Sequence, residues 1–156
     1  MFLNHCSSGE KIPAEIVRLP AAIDLTGIRA RFAFGWGLES GHEIYALRVV
    51  KHREIVGLMA LRDVPEELRI EIVLLENSKE NIGKNKTYEP IAGILIAFAC
   101  RLAFSRGYFG FVSLTPKTRL IEYYKTMYGF KQYGRQLAVD LTDAQHLIDR
   151  YLNYDK

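Results

Sequence analysis

Between Pro90 and Arg106 the chain carries seventeen residues that are apolar on nearly every side. A run of this length reads as a helix of roughly 25 Å, at 1.5 Å per residue. A helix without a polar face has to be buried by the rest of the fold. Pro90 suits its first position, where the missing N–H has no intrahelical partner and φ is preset. The uncharged part, Pro90 to Cys100, is eleven residues and stops at Arg101. That is well short of the ~20 residues a bilayer span needs, so no membrane partner is expected.

The whole chain has 156 residues, 49% apolar and 25% charged. It reads as a single domain over 1–156, able to bury roughly two thirds of its unfolded surface without a metal or disulfide staple. Twenty-one basic against eighteen acidic side chains leave a net charge of +3. There is no basic stripe that would track a phosphate backbone, so no nucleic-acid partner is expected. Cys6 and Cys100 read as reduced thiols and point to the cytoplasm. His5, His42, His52 and His146 show no metal-ligand spacing, and no metal is expected. A Gly-x-Ser-x-Gly elbow and a Gly-x-x-x-x-Gly-Lys-Ser/Thr loop are both absent, which removes support for hydrolase and nucleotidase chemistry.

Residues 1–13 read as a loose lead-in to a short strand, Ala14 to Leu19, stopped by Pro20. A short helix near Asp24 to Arg31 and a turn or short strand over Phe32 to Gly37 follow. Glu43 to Val50 and Glu54 to Arg62 are predicted to form an antiparallel hairpin, with a third strand at Leu68 to Leu75. The polar stretch 76–89 leads into the buried helix. Tyr108 to Leu114 reads as a strand that completes a crossover. A helix over Pro116 to Met127, capped by Gly129, comes next. A strand over Lys131 to Leu141 and a last helix opening on the capping box Thr142-Asp143-Ala144-Gln145 finish the chain. On that helix Leu147, Ile148, Tyr151 and Leu152 share one side. This order predicts an α/β fold with a mixed, mainly antiparallel central sheet flanked by helices on both faces.

Ligands favour the carboxyl end of a strand that feeds a helix N-terminus, which directs attention to residues 75–95. The amides of Ala92, Gly93 and Ile94 are placed to donate to a phosphate or pyrophosphate, with Lys84 and Lys86 adding charge. Glu71 and Glu76 are the carboxylates nearest the end of the third meander strand and candidates to accept a proton from an amine. A tyrosine between residues 123 and 128 can protonate a thiolate leaving group if held near it.

Taken together, Leu68 to Phe130 resembles the GNAT superfamily of acyl-CoA-dependent N-acetyltransferases. The equivalents are the strand Ile70 to Leu75, the loop Thr87 to Ala92, the helix from Pro90, the strand Tyr108 to Leu114, and Tyr124 with Gly129-Phe130. The family's Gln/Arg-x-x-Gly-x-Gly/Ala loop falls with Thr87 first, Pro90 at the first Gly and Ala92 at the final small residue. Only the last of these matches. Asn81-Ile82-Gly83-Lys84, Tyr88, Leu95 to Cys100 and Pro116-Lys117-Thr118 look like a poorly characterised bacterial branch of GNAT-like proteins. The resemblance implies acetyl-CoA as co-substrate, bound by Val73, Leu74, Leu75, Lys84, Lys86, Tyr88, Ala92, Gly93 and Ile94. It also implies direct attack by an amine of a small molecule or protein, with Glu76 or Glu71 as base and Tyr124 as acid. Tyr123 is the alternative to Tyr124, and a homodimer is compatible with all of this. A non-catalytic protein of the same fold, binding CoA or a protein partner, is the other reading.

Overall fold

The computed structural model describes residues 1–20, 31–32 and 42–152. The expected helix near Asp24 to Arg31 and most of the aromatic run after Phe32 therefore lie outside the described residues; Phe32 itself is buried. The strands are β1 (Phe2–His5), β2 (Lys11–Leu19), β3 (Glu43–Val49), β4 (Ile55–Val64), β5 (Arg69–Asn77), β6 (Tyr88–Glu89), β7 (Val112–Leu114), β8 (Lys131–Tyr133) and β9 (Gln136–Val139). The described helices are α1 (Ala92–Ser105), α2 (Ile121–Tyr128) and α3 (Leu141–Tyr151). The sheet runs β6-β1-β2-β3-β4-β5-β7-β9-β8. β5 and β7 pair parallel, while β1 with β2 and β6, β2 with β3, and β9 with β7 and β8 pair antiparallel. The sheet is thus mixed and mainly antiparallel, as expected. The chain packs as two compact units, one of Met1–Ala60 with Leu74–Leu95 and one of Leu61–Val73 with Ile96–Tyr154.

In the first unit, the expected lead-in is a strand. Leu3 is fully buried, and β1 pairs through Phe2↔Pro13, Leu3↔Ile12 and Asn4↔Lys11. The polar residues after His5, with Gly9 at φ 74, form the hairpin turn, closed by the His5 amide on Glu10 O at 2.8 Å. The helix also starts later than expected. Its first intrahelical bond runs from the Leu95 amide to Ile91 O at 3.1 Å, so Ala92 is the first helical residue. Pro90, after a cis peptide, lies outside it. The reason is upstream: Tyr88 and Glu89 are held extended by β1, and the chain turns into a helix only after leaving that ladder.

In the second unit, α1 is buried as its composition demands: Ile96, Ala97, Ala99, Cys100 and Ala103 have no exposed surface. The strand after it is shorter than the sequence suggests. Phe109 and Gly110 both take positive φ, turning the chain so that pairing begins only at Val112. A Cβ on Gly110 would lie 2.5 Å from Phe104 and 2.9 Å from Ala144, so only glycine fits that turn. The expected helix from Pro116 is a 3-10 turn, Thr118–Leu120, followed by α2, because Lys117 is still extended at φ −58, ψ 142. Gly129 closes α2 in the left-handed conformation, as expected. Lys131 to Leu141 is two strands, because Gly134 at φ 66 folds β8 back on β9 with Tyr133 opposite Gln136. The capping box is not used: Asp140 is the N-cap of α3, without a side-chain cap bond. The face of Leu147, Ile148, Tyr151 and Leu152 is buried as expected.

Candidate active site

The pairing of β5 with β7 ends at Ile72↔Leu114, whereas β5 continues to Asn77. Val73, Leu74 and Leu75 lie beyond that last pair and are half-buried. By strand alternation Glu76 shares the parity of buried Ile70 and Ile72, and its own exposure is 7%. An inward carboxylate at a strand end is costly unless it serves a purpose or is compensated.

Beyond Glu76 the first unit builds a loop around Asn81, whose exposure is 1%. Its Oδ1 accepts the Tyr88 amide at 2.8 Å, its Nδ2 donates to Ser78 Oγ at 2.7 Å, and its carbonyl accepts Asn77 Nδ2 at 3.2 Å. One side chain therefore ties the end of β5 to β6. The Arg31 guanidinium bridges Glu54, at 3.1 Å, and Glu80 on the same loop. Tyr88 packs edge-on against His5 with centroids 5.5 Å apart. Burial, reinforced by the charge of Glu54, raises its phenol pKa.

The loop delivers the chain to the α1 N-terminus. Ala92, Gly93 and Ile94 occupy its first turn, where amides have no carbonyl four residues back to bond. The helix dipole adds positive potential there. Lys84 is exposed, while Lys86 pairs with Glu89 at 2.7 Å. Gly57 in β4 sets how closely the helix start approaches: a Cβ there would lie 2.6 Å from Ile91 Cγ2 and 3.0 Å from Leu95 Cδ1. Leu74, Leu75, Glu76, Lys84, Lys86, Tyr88 and Ala92 to Ile94 all belong to the first unit. Free first-turn amides suit a polyanion that accepts hydrogen bonds from a helix N-terminus.

Tyr124 and Glu71 belong to the second unit. Tyr124 sits in an aromatic cluster, with ring centroids 5.7 Å from Tyr128, 5.9 Å from Tyr123 and 6.0 Å from Phe130. Burial, and secondarily the neighbouring Tyr123, raises its pKa, so the phenol keeps its proton at neutral pH. Tyr123 is half exposed. Glu71 is engaged by Arg62 at 3.2 Å and Arg69 at 3.5 Å, and Arg69 also donates to buried Ser113 at 2.8 Å. Cys100 is fully buried, and burial pushes its thiol up to about 12, so it offers no thiolate nucleophile. Among the described residues no group of three His, Cys, Asp or Glu side chains is placed to hold a metal. No described helix is long and apolar enough to cross a membrane.

Sequence reasoning missed Ser78, Gly57 and Arg31, and it noted Asn81 only as part of a motif. An Asn four residues past the end of a strand is a usable signal for a loop tie. The Gly57 contact has no local signature.

No protein-family model matches the chain, and no curated protein matches it in sequence. Solved structures match it in fold. An IAA acetyltransferase from Bacillus cereus aligns with TM-score 0.61 at 13% identity, over 83% of this chain and 100% of that one. A structure of AtaT complexed with acetyl-methionyl-tRNAfMet aligns with TM-score 0.56 at 14% identity, over 87% and 99%. A bacterial toxin aligns with TM-score 0.57 at 12% identity, over 89% and 95%.

Proposed function

From the GNAT-like fold as premise, we propose that the protein is an N-acyltransferase that takes an acetyl group from acetyl-CoA and passes it to an amine. The observation that carries this reading is the first turn of α1, three amides following a tied loop that bears Lys84 and Lys86. That donor set fits the diphosphate of CoA, with Tyr88 beside it. The thioester carbonyl is assigned to the β5 backbone at Val73 to Leu75, beyond the last pair with β7.

In the proposed reaction the amine nitrogen attacks the thioester carbonyl directly, a C–N bond forms and the C–S bond breaks. Glu76 accepts the amine proton, itself or through water, and Tyr124 gives its proton to the departing sulfur. Glu76 is favoured over Glu71 because it lies beyond the last β5–β7 pair, next to the Val73 to Leu75 backbone to which the thioester carbonyl is assigned, whereas Glu71 lies within the paired part of β5. The acceptor is an amine on a small molecule or protein.

Thermal shifts with acetyl-CoA, desulfo-CoA and ATP test the donor site. The expected result is a larger shift for the two CoA compounds than for ATP; equal or absent shifts refute it. In a turnover assay Tyr124→Phe and Glu76→Gln should each lose about 10²-fold while keeping the acetyl-CoA shift, and Glu71→Gln should keep its rate. A second reading, CoA or partner binding without turnover, draws on Thr87 and Pro90 standing where the family loop has other residues. Silence with every amine, together with a retained shift, would select it.

A further inference from the structure

Four described non-glycine residues take positive φ, and three of them, Leu68, Phe109 and Leu141, are large apolar side chains. Their φ values are 51, 56 and 48, and they are 48%, 61% and 55% exposed. Their position in the second unit is equally specific. In the row Ile70↔Val112↔Val139, Leu68 lies two residues before Ile70, Phe109 three before Val112, and Leu141 two after Val139. β5 and β7 run parallel and β9 runs against them, so all three residues emerge at the same end of adjacent strands. The backbone draws them together there: the Leu141 amide donates to Phe109 O at 2.9 Å and the Ile70 amide to Phe111 O at 3.0 Å. This is the end of β5 opposite to Glu76.

Leu and Phe in a left-handed conformation are disfavoured, and Gly or Asn would fill these turns with less strain. Large exposed apolar groups kept at such positions point to function. The rim supplies the chemistry of the partner. Glu66, beside Leu68, and Asp140, beside Leu141, are exposed and have no ion-pair partner among the described residues. Among the described residues, three basic groups of this unit are paired: Arg69 with Glu67 at 2.7 Å, Arg106 with Asp63 at 3.6 Å and Lys131 with Asp143 at 3.9 Å. An apolar patch with an acidic rim repels nucleic acid and anionic lipid.

We propose that the Leu68, Phe109 and Leu141 end of the sheet is a docking surface for a basic amphipathic segment of another polypeptide. Its apolar side covers the three side chains and its Lys or Arg groups meet Glu66 and Asp140. The surface is independent of the proposed acyl-transfer site.

The test titrates the full chain, labelled with ¹⁵N, with a synthetic helical peptide of Leu-Lys-Lys-Leu repeats. A peptide with Glu in place of Lys is the control. Saturable shifts at the amides of Leu68, Phe109 and Leu141, weakened by salt and absent with the Glu peptide, support the proposal. The Leu68→Asn, Phe109→Asn, Leu141→Asn triple variant should weaken binding at least ~10-fold while melting within ~5 °C of the parent. Glu66→Lys with Asp140→Lys, which leaves the apolar groups intact, should weaken it as well. The proposal is overturned by absent saturation, by equal binding of the Glu peptide, or by unchanged binding in both variants. It is also overturned by collapse of the triple variant's fold, which would make these side chains packing elements. Finally, a concentration-dependent dimer in the parent that the triple variant loses would make the occupant a second copy.

Discussion

At its C-terminal end β5 passes into Ser78 and Asn81, polar side chains with almost no exposed surface and satisfied hydrogen bonds. At its N-terminal end it begins from Leu68, half exposed on a backbone conformation that leucine rarely adopts. The usual distribution of polar and apolar groups is reversed at both ends of one strand. The C-terminal end uses buried polarity to hold a loop in one shape. The N-terminal end leaves about half of the Leu68 side chain in water.

This contrast breaks first at Asn81. Asn81→Ala leaves the Tyr88 amide and Ser78 Oγ without their partner in a buried place. Unsatisfied buried groups cost about 1–3 kcal/mol each, so a loss of about 2–4 kcal/mol is expected. For a domain of this size that is a fall in melting temperature of roughly 6–12 °C, read by thermal denaturation. A drop of only a degree or two would mean that the loop does not depend on this tie. Gly57→Ala comes next. Its Cβ would meet Ile91 and Leu95 at the start of α1. Overpacking of this kind costs about 1–3 kcal/mol. The acetyl-CoA thermal shift should shrink in parallel, because the first-turn amides move with those side chains.

The third expectation concerns pH. Cys100 is pushed from 9.0 up to about 12 by burial, and Tyr124, Tyr128 and Tyr151 are raised from 10.0, burial being the leading cause for each. Above pH 9 the unfolded chain gives up these protons while the folded chain keeps them, so stability falls as pH rises. The contribution is fully present below pH 9 and is lost toward pH 12. At pH 10 the Cys100 share is on the order of 1 kcal/mol. Denaturant midpoints at pH 8 and 10 measure it, and Cys100→Ser should flatten part of the slope. Equal midpoints would show that the thiol and the tyrosine cluster meet water.

Legibility followed the range of the interaction. α1, the β3–β4–β5 meander and the Gly129 cap were all readable, because each is written in periodicity or in one residue with one conformational property. The first-turn amides Ala92, Gly93 and Ile94 were named although the helix was expected to start at Pro90. β1 was missed because four residues carry too little alternation, and its strand character comes from pairing with β2 and β6. Lys131 to Leu141 was read as one strand because β-formers on both sides outweighed Gly134. At the candidate site, Gly57 against Ile91 joins residues far apart in sequence. The Asn81 tie shows as a polar residue in a polar loop until the fold closes around it.

The smallest expected effect belongs to the N-terminal end and tests the other half of the contrast. In Leu68→Asn two terms oppose each other. The left-handed conformation costs leucine about 1–2 kcal/mol, most of which Asn recovers. Against that, about half of the leucine side chain is covered, and full burial is worth about 1.5–3 kcal/mol, so about 1 kcal/mol is lost. The sum lies within about 1 kcal/mol of zero, a melting temperature within roughly 4 °C of the parent. A buried leucine of β4 such as Leu58, which has no exposed surface, cannot be exchanged for Asn on such terms. If Leu68→Asn cost more than about 2 kcal/mol, Leu68 would belong to the core, and both ends of β5 would serve the stability of the fold.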